Sequence, residues 1–269
     1  MRAMNTTGAL AGSCAESSRG GLVLHYQPQF DLRTLAPCGL EALARWRTGD
    51  RLLAPGEFIP LACRRGLMQE LTRHVLDTAC RDNAGLIEAG LLDVPVAVNV
   101  SAVSIATDDF LSLVSHGLRA GPLAPDRLEL EITEDAAMDV SLQTLRNATS
   151  ISRMGIGLAM DDYGKGSSSL THLRDLPFDK LKLDRSFISA LPESCVNRAI
   201  VQSTVGLGHE LGLPVVAEGI ETEAQARLLR SMGCDIGQGY WYAAPMPLSR
   251  LVEWLAGRRV PRMMHAACG

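Results

Sequence analysis

The sequence lacks the features that mark several large classes of protein. Among its 269 residues, 26 Lys and Arg stand against 30 Asp and Glu, which leaves a formal net charge of −4. We therefore expect no binding to DNA or RNA duplexes, because that requires clustered basic side chains. No apolar run reaches the roughly 18 residues that a membrane helix needs, so we expect no membrane segment either.

Cysteine is present, but it is not arranged as a metal or disulfide site. The seven cysteines form no C-x-x-C pair and their number is odd, which argues against a disulfide framework and a zinc finger. This usage fits a reducing compartment, so we expect a cytoplasmic protein. The sequence also has no G-x-S-x-G elbow and no Walker loop, which disfavours acyl transfer and ATP chemistry.

Strands and helices alternate along most of the chain. From about residue 92, short apolar strands that end in polar residues are each followed by an amphipathic helix. This order predicts parallel strands joined by right-handed crossovers. With two earlier strands, the prediction is eight strands, at 22–27, 38–46, 94–100, 127–133, 156–162, 179–184, 214–220 and 234–240. Helices are predicted near 66–89, 109–120, 141–153, 167–175, 194–211, 222–232 and 248–256.

The strand count and the length favour an α/β fold, a TIM (β/α)8 barrel, with a doubly wound open sheet as the alternative. No Pro- or Ser-rich linker divides the chain. We expect one domain over residues 21–258, a flexible tail at 1–20 and a second tail at 259–269.

In such a barrel, catalytic residues gather where the strands end. Period-two alternation sends Glu129 and Glu131 to one face of their strand and aims Lys182 toward the barrel mouth. Taken singly, a polar residue at a strand end is more often a helix cap or a solvated rim residue. Here they occur in succession, and the set comprises Glu41, Asn99, Glu129, Glu131, Glu134, Asp161, Asp162, Asp184, Glu218, Glu221 and Gln238.

So many carboxylates at one rim repel each other unless they are paired, neutralised or bound to metal. One lysine cannot balance them. Oxygen ligands without His or Cys favour Mg²⁺ or Mn²⁺ over zinc. The residues alone therefore predict a two-metal site for phosphoryl transfer or hydrolysis.

The same positions lie in nine short motifs: YQP (26–28), EALARW (41–46), FIPLA (58–62), NVS (99–101), ELEITE (129–134), DDYGKGSSSL (161–170), KLKLDRSFI (180–188), VAEGIET (216–222) and QGYWYAAP (238–245). In this order they resemble the EAL domain, the bacterial phosphodiesterase domain that hydrolyses cyclic di-GMP. The resemblance runs from about residue 22 to about residue 256. It implies a modified TIM barrel whose first strand is antiparallel to the others.

The resemblance implies roles for the matching residues. Lys182 would hold or deprotonate the attacking water, Asp161 would bridge two metal ions, and the product would be the linear dinucleotide pGpG. The catalytic residues would be Glu41, Asp162, Lys182 and Glu218. The ligands of Mg²⁺ or Mn²⁺ would be Glu41, Asn99, Glu131, Asp161, Asp162 and Glu218.

The resemblance also implies ligand contacts, among which Arg45 suits a phosphate because its guanidinium is a bidentate fork. The full set is Gln27, Leu43, Arg45, Asp184, Gln238 and Pro245. Supporting positions would be Glu134, Glu221, Tyr163, Gly164 and Lys165.

One loop departs from the family pattern. It reads DDYGKGSSSL, where the family usually has a sequence close to D-D-F-G-T-G-Y-S-S-L, so Lys165 brings a cation beside the acidic rim. In the family, this loop helps to order the second metal and couples to the interface of a homodimer, which the resemblance also implies for this chain.

The leading hypothesis is a metal-dependent cyclic di-GMP phosphodiesterase that lowers the level of this second messenger. It rests on the match at every metal-binding and catalytic position. The altered loop leaves open a catalytically weak or inactive receptor that binds cyclic di-GMP and signals through protein contacts. A metabolic TIM-barrel enzyme acting on a phosphorylated sugar is the third alternative, and it would not bind the dinucleotide.

Overall fold

The computed structural model describes residues 20–133, 141–164 and 173–257. A single mixed sheet runs through these residues. Its strands are β1 (Gly21–Asp31), β2 (Pro37–Thr48), β3 (Arg51–Leu53), β4 (Val96–Val100), β5 (Leu128–Thr133), β6 (Gly157–Tyr163), β7 (Lys180–Leu183), β8 (Val215–Ala217), β9 (Ile236–Gly237) and β10 (Met246–Pro247).

Eight of these strands close into a barrel. Around it they follow the order β1, β2, β4, β5, β6, β7, β8 and β9, and β9 pairs with β1 to complete the ring. The short strands β3 and β10 attach outside the ring, to β2 and β1. The predicted TIM-type barrel is therefore confirmed, and the open sheet is not formed.

The first strand runs against the rest of the barrel. It pairs antiparallel with both β2 and β9, whereas every pairing from β2 through β4 to β9 is parallel. The antiparallel pairing places Gln27 of β1 directly opposite Glu41 of β2. The predicted antiparallel first strand is confirmed, and it brings an amide beside a candidate metal ligand.

Helices surround the barrel, and none in the described ranges is both long and apolar enough to cross a bilayer. They are α1 (Pro55–Arg64), α2 (Met68–Glu88), α3 (Ala102–Ile105), α4 (Phe110–Ala120), α5 (Leu142–Arg153), α6 (Arg185–Ser189), α7 (Cys195–Leu211), α8 (Glu223–Ser231) and α9 (Leu248–Gly257). A short 3-10 turn, Pro125–Arg127, leads into β5.

Alternation along the strands separates an apolar layer from a polar barrel interior. On β5, Leu130 and Ile132 are completely buried in the hydrophobic core, which continues into the helices through residues such as Ile151 of α5. Glu129 and Glu131 lie on the opposite face of the same strand, where they are buried inside the ring. The charged side chains of β5 thereby lie in the barrel interior.

Most predicted elements are present, with differences at their ends. The strand predicted over 214–220 contracts to β8, because Gly219 takes a positive φ of 70° and leaves the extended conformation. The helices α3 and α6 were not predicted, since one or two turns are too short to show a helical period. The elements β3, β10 and α1 were also not predicted. Most of the helix predicted over 167–175, and nearly all of both tails, lie outside the described residues.

The packing of α7 against β8 leaves no room for a side chain at Gly208. A Cβ there would collide with Cγ2 of Val215 and would lie 2.8 Å from the carbonyl oxygen of Leu213. We therefore expect Gly208→Ala to lower the free energy of unfolding by about 1–3 kcal/mol.

The matched control is Gly206→Ala on the same helix, where an added Cβ would have no neighbour within 4 Å. This change should raise the free energy of unfolding by roughly 0.5–1 kcal/mol, because alanine favours the helix. Urea denaturation followed by circular dichroism measures both variants, and effects of the same sign would contradict the described packing.

Candidate active site

The ammonium group of Lys182 is the centre of a buried cluster of charges. Its Nζ lies 2.7 Å from Oε2 of Glu131, 2.7 Å from Oε1 of Glu218 and 3.2 Å from Oδ1 of Asp161. Oε1 of Glu41 follows at 3.9 Å. The structure thus brings together five of the predicted catalytic and metal-binding residues around one atom.

These side chains meet because their strands end at the same edge of the barrel. Glu41 lies on β2, Glu131 on β5, Asp161 on β6 and Lys182 on β7, while Glu218 follows β8 directly. Each points inward by the period-two alternation of its strand. The cluster is therefore built at the carboxyl edge, the end of the barrel at which TIM-type enzymes carry their chemistry.

One ammonium cannot neutralise four carboxylates, and burial shifts the pKa values of the cluster further. Burial raises the pKa of Glu131 well above its ordinary value, although Lys182 opposes the shift. Burial likewise raises the pKa of Glu218 to about 8, again against the attraction of Lys182. Burial disfavours the Lys182 cation, but the surrounding carboxylates outweigh it and hold the pKa of this lysine well above its usual range.

The pKa of Glu41 shifts in the opposite direction to the pKa of Glu131 and Glu218. Burial would raise its pKa, but Lys182 and two amide donors bring the pKa below the ordinary value. Asn99 Nδ2 donates to Oε1 of Glu41 at 2.9 Å, and Gln238 Nε2 donates to Oε2 at 2.5 Å. The amides therefore favour an ionised and oriented carboxylate at this position.

Hydrogen bonds among three glutamines hold the side-chain amide of Gln238 in place. Gln238 Nε2 also donates to Oε1 of Gln27 at 3.0 Å, and its own Oε1 accepts from Gln29 Nε2 at 3.0 Å. Gln27 Nε2 in turn donates to the carbonyl of Ala243. Gln29 was not singled out from the sequence, although its place two residues beyond Gln27 on β1 puts it on the same strand face.

The two adjacent aspartates lie at a β-bulge. The pairing of β6 with β7 passes from Met160 opposite Leu181 to Tyr163 opposite Leu183, so β6 carries one extra residue. Within it, Asp162 has a positive φ of 57°, and its N–H donates to Oδ1 of Asp161 at 2.9 Å. A strained non-glycine residue at such a place is typical of functional sites.

The remaining predicted residues divide into three groups. Asp184 caps α6 by accepting a hydrogen bond from the Ser186 N–H at 2.8 Å, a role that the sequence did not predict. Tyr163 is buried, and Gly164 takes a φ of 98° where a Cβ would press on the ring of Phe187. Glu134 and Lys165 lie outside the described residues.

A cavity of about 250 Å³ opens beside the charge cluster. Eight of its lining residues were predicted, namely Gln27, Glu41, Leu43, Arg45, Glu218, Glu221, Gln238 and Pro245. The sequence did not single out Arg185 and Tyr240, which also line it. A larger cavity of about 570 Å³ lies near Asp93 and Arg127, before β4 and β5, and therefore at the opposite end of the barrel.

A second buried ion pair lies deeper in the barrel. Lys180 Nζ donates to Oε2 of Glu129 at 2.5 Å, and both residues are buried. They stand two positions before Lys182 and Glu131 on the same strands, so the pair forms a layer beneath the charge cluster. In this layer one cation meets one carboxylate.

The donor set of the charge cluster suits a hard cation. It supplies oxygen ligands without His or Cys, and Oε1 of Glu131 is buried with no hydrogen-bonding partner. The carboxylates close around the Lys182 ammonium, and within the described ranges no three acidic, His or Cys side chains are grouped as ligands of an ion. Lys182 thus supplies one positive charge against four carboxylates.

The family model described as "EAL domain" matches residues 12–245. The chain belongs to the EAL domain family. The bifunctional diguanylate cyclase/cyclic di-GMP phosphodiesterase MucR of Pseudomonas aeruginosa is 42% identical over 246 residues, covering 88% of this chain and 35% of that protein. The cyclic di-GMP phosphodiesterase NbdA of the same organism is 42% identical over 239 residues, covering 88% and 30%. The chain spans about a third of the length of these relatives.

Solved EAL domains share the barrel of this chain. The PaMucR phosphodiesterase in its c-di-GMP complex superposes with a TM-score of 0.81 at 41% identity, covering 86% of this chain and 94% of that one. The EAL domain of Mycobacterium smegmatis DcpA gives a TM-score of 0.75 at 34% identity, covering 91% of this chain and 100% of that one.

The charge cluster predicts that Lys182→Met destabilises the metal-free EAL domain. We expect the free energy of unfolding to fall by about 3–5 kcal/mol, because four carboxylates lose their buried counter-ion. Denaturation in guanidinium chloride with a chelator present measures the effect.

As a control, Arg227→Met removes an exposed ion pair with Glu223 on α8 and should leave the stability unchanged. A wild-type denaturation midpoint in Lys182→Met would contradict the counter-ion role.

Proposed function

We propose that this EAL domain hydrolyses cyclic di-GMP to linear pGpG. One observation carries the proposal: Lys182 and four carboxylates converge at the carboxyl edge of the barrel, next to a cavity that two arginines and two glutamines also line. Relatives that are 42% identical are named cyclic di-GMP phosphodiesterases, which supports the same activity.

We propose Mg²⁺ or Mn²⁺ as the cofactor, bound as a pair. Such ions would neutralise charge on the phosphodiester and lower the pKa of water. The residues that would hold them are Glu41, Asn99, Glu131, Asp161, Asp162 and Glu218. The bulge at Asp161 and Asp162 supports this set, because it frees the second aspartate from the alternation of the strand.

The other residues of the site bind and orient the substrate in this proposal. Arg45 lines the cavity, where its guanidinium, which also donates from Nη1 to the carbonyl of Ala44, presents further N–H groups to a phosphate. Gln27 and Gln238 orient Glu41 and present amide groups at the cavity wall. Lys182 holds the attacking water as an ammonium donor, since its Nζ lies among the carboxylates where the reacting phosphate must come.

The activity itself is the first test. Purified protein incubated with cyclic di-GMP and Mg²⁺ or Mn²⁺ should release pGpG, measured by liquid chromatography. A chelator should abolish the reaction, and added metal should restore it, because the carboxylates need the cations before they admit an anion. Tight binding without product would refute the enzyme and favour the receptor. Absence of binding would refute both.

Glu41→Ala tests the metal assignment. It should reduce turnover by at least about a hundredfold, because it removes a metal ligand together with the acceptor for Asn99 and Gln238. The fold should remain, as judged by circular dichroism. Glu210→Ala on the exposed surface of α7 is the control and should retain full turnover. The assignment would be contradicted if Glu41→Ala unfolded much of the protein while the fraction that stayed folded kept normal turnover.

A further inference from the structure

Arg185 lines the active-site cavity and is not accounted for by the roles above. It is the first residue of α6, directly after Asp184 at the end of β7. The same cavity is lined by Glu41, Glu218 and Glu221. Although three carboxylates share this cavity, the side chain of Arg185 forms no hydrogen bond or ion pair within the part of the chain that the structure describes. Its exposed guanidinium is therefore available to a ligand.

The backbone beside Glu218 is shaped to admit this side chain. Gly219 has a positive φ of 70°, and a Cβ at that position would lie 2.6 Å from the Cβ of Arg185. Any side chain at residue 219 would thus displace the start of the Arg185 side chain. Gly219 directly follows Glu218, a carboxylate of the charge cluster. Because it is a glycine, Arg185 can lie against it.

The topology places the two arginines on opposite sides of the mouth. Arg45 belongs to β2 and Arg185 follows β7. In the ring of eight strands, four steps separate β2 from β7 in either direction, so these strands face each other across the barrel. Among the residues that line the cavity, these two carry the positive charge. The cavity is therefore lined by carboxylates, of which Glu41 is buried, and by two guanidiniums that come from opposite sides of the ring.

This inference rests on the proposed function and deepens it. A cyclic dinucleotide carries two phosphodiesters with one negative charge each. The phosphodiester that is cleaved must lie at the carboxylates and their cations, and Arg45 is the phosphate partner already proposed. We propose that Arg185 binds the second phosphodiester, the one that stays intact, from the side of the mouth opposite Arg45.

Arg185→Ala should raise the KM for cyclic di-GMP about tenfold or more, the effect of losing one charge-assisted hydrogen bond. The kcat should change by less than about twofold, since the lost contact lies on the phosphate that does not react. Arg185→Lys should retain part of the affinity, because it keeps the charge but loses the planar fork. Arg153→Ala removes an exposed arginine at the opposite end of the barrel and should leave the KM unchanged.

Two linear dinucleotides show which phosphate Arg185 contacts. The product pGpG retains both phosphates, whereas GpG retains only the internal phosphodiester that was not cleaved. Arg185→Ala should weaken inhibition by both compounds to a similar extent. Weaker inhibition by pGpG alone would place Arg185 at the cleaved phosphate and overturn the proposal. An unchanged KM, or a loss confined to kcat, would also overturn it.

The failure of this inference can be separated from the failure of the proposed function. If the wild-type protein makes no pGpG, the phosphodiesterase proposal fails, and calorimetric binding of cyclic di-GMP then tests Arg185 alone. Weaker binding by Arg185→Ala than by the wild type and Arg153→Ala would support the contact. Equal binding by all three proteins, or no binding by the wild type, would refute it.

Discussion

The rest of the site depends on one buried ammonium that is shared by four carboxylates. Lys182 cannot neutralise Glu41, Glu131, Asp161 and Glu218 together. Burial, and after it the neighbouring carboxylates, raises the pKa of Glu131 and Glu218. Deeper in the barrel the same strands form a balanced pair, Lys180 with Glu129. The unbalanced layer lies at the mouth, where bound cations can supply the positive charge that the protein lacks and so admit an anionic substrate.

The pairing of the barrel strands fixes the positions of these carboxylates. The antiparallel first strand sets Gln27 opposite Glu41, and the glutamine chain then holds that carboxylate through Gln238. Alternation along β6 directs Asp161 to the barrel interior. The bulge in β6 interrupts this alternation at Asp162. Both devices are local departures from a regular parallel barrel, and both occur where the candidate ligands lie.

The mouth adds a second division of charge. Carboxylates line the cavity, and its two arginines, Arg45 and Arg185, come from opposite sides of the ring. A ligand with two separate negative charges and a long axis fits this arrangement better than a single phosphate does. The family to which the chain belongs and its cyclic di-GMP phosphodiesterase relatives agree with that chemistry.

The sequence by itself determined the order of strands and helices along the chain, the polar residues at the strand ends and the family. Alternation and short motifs are local properties of the chain, so they can be read without the fold. The alternation of Leu130 with Glu131 already predicts which face of β5 is apolar. The tertiary structure alone decided that Lys182 contacts four carboxylates, and that Arg45 and Arg185 line one cavity from strands on opposite sides of the ring. These facts depend on barrel closure and on the bulge after Met160, which bring together residues far apart in sequence.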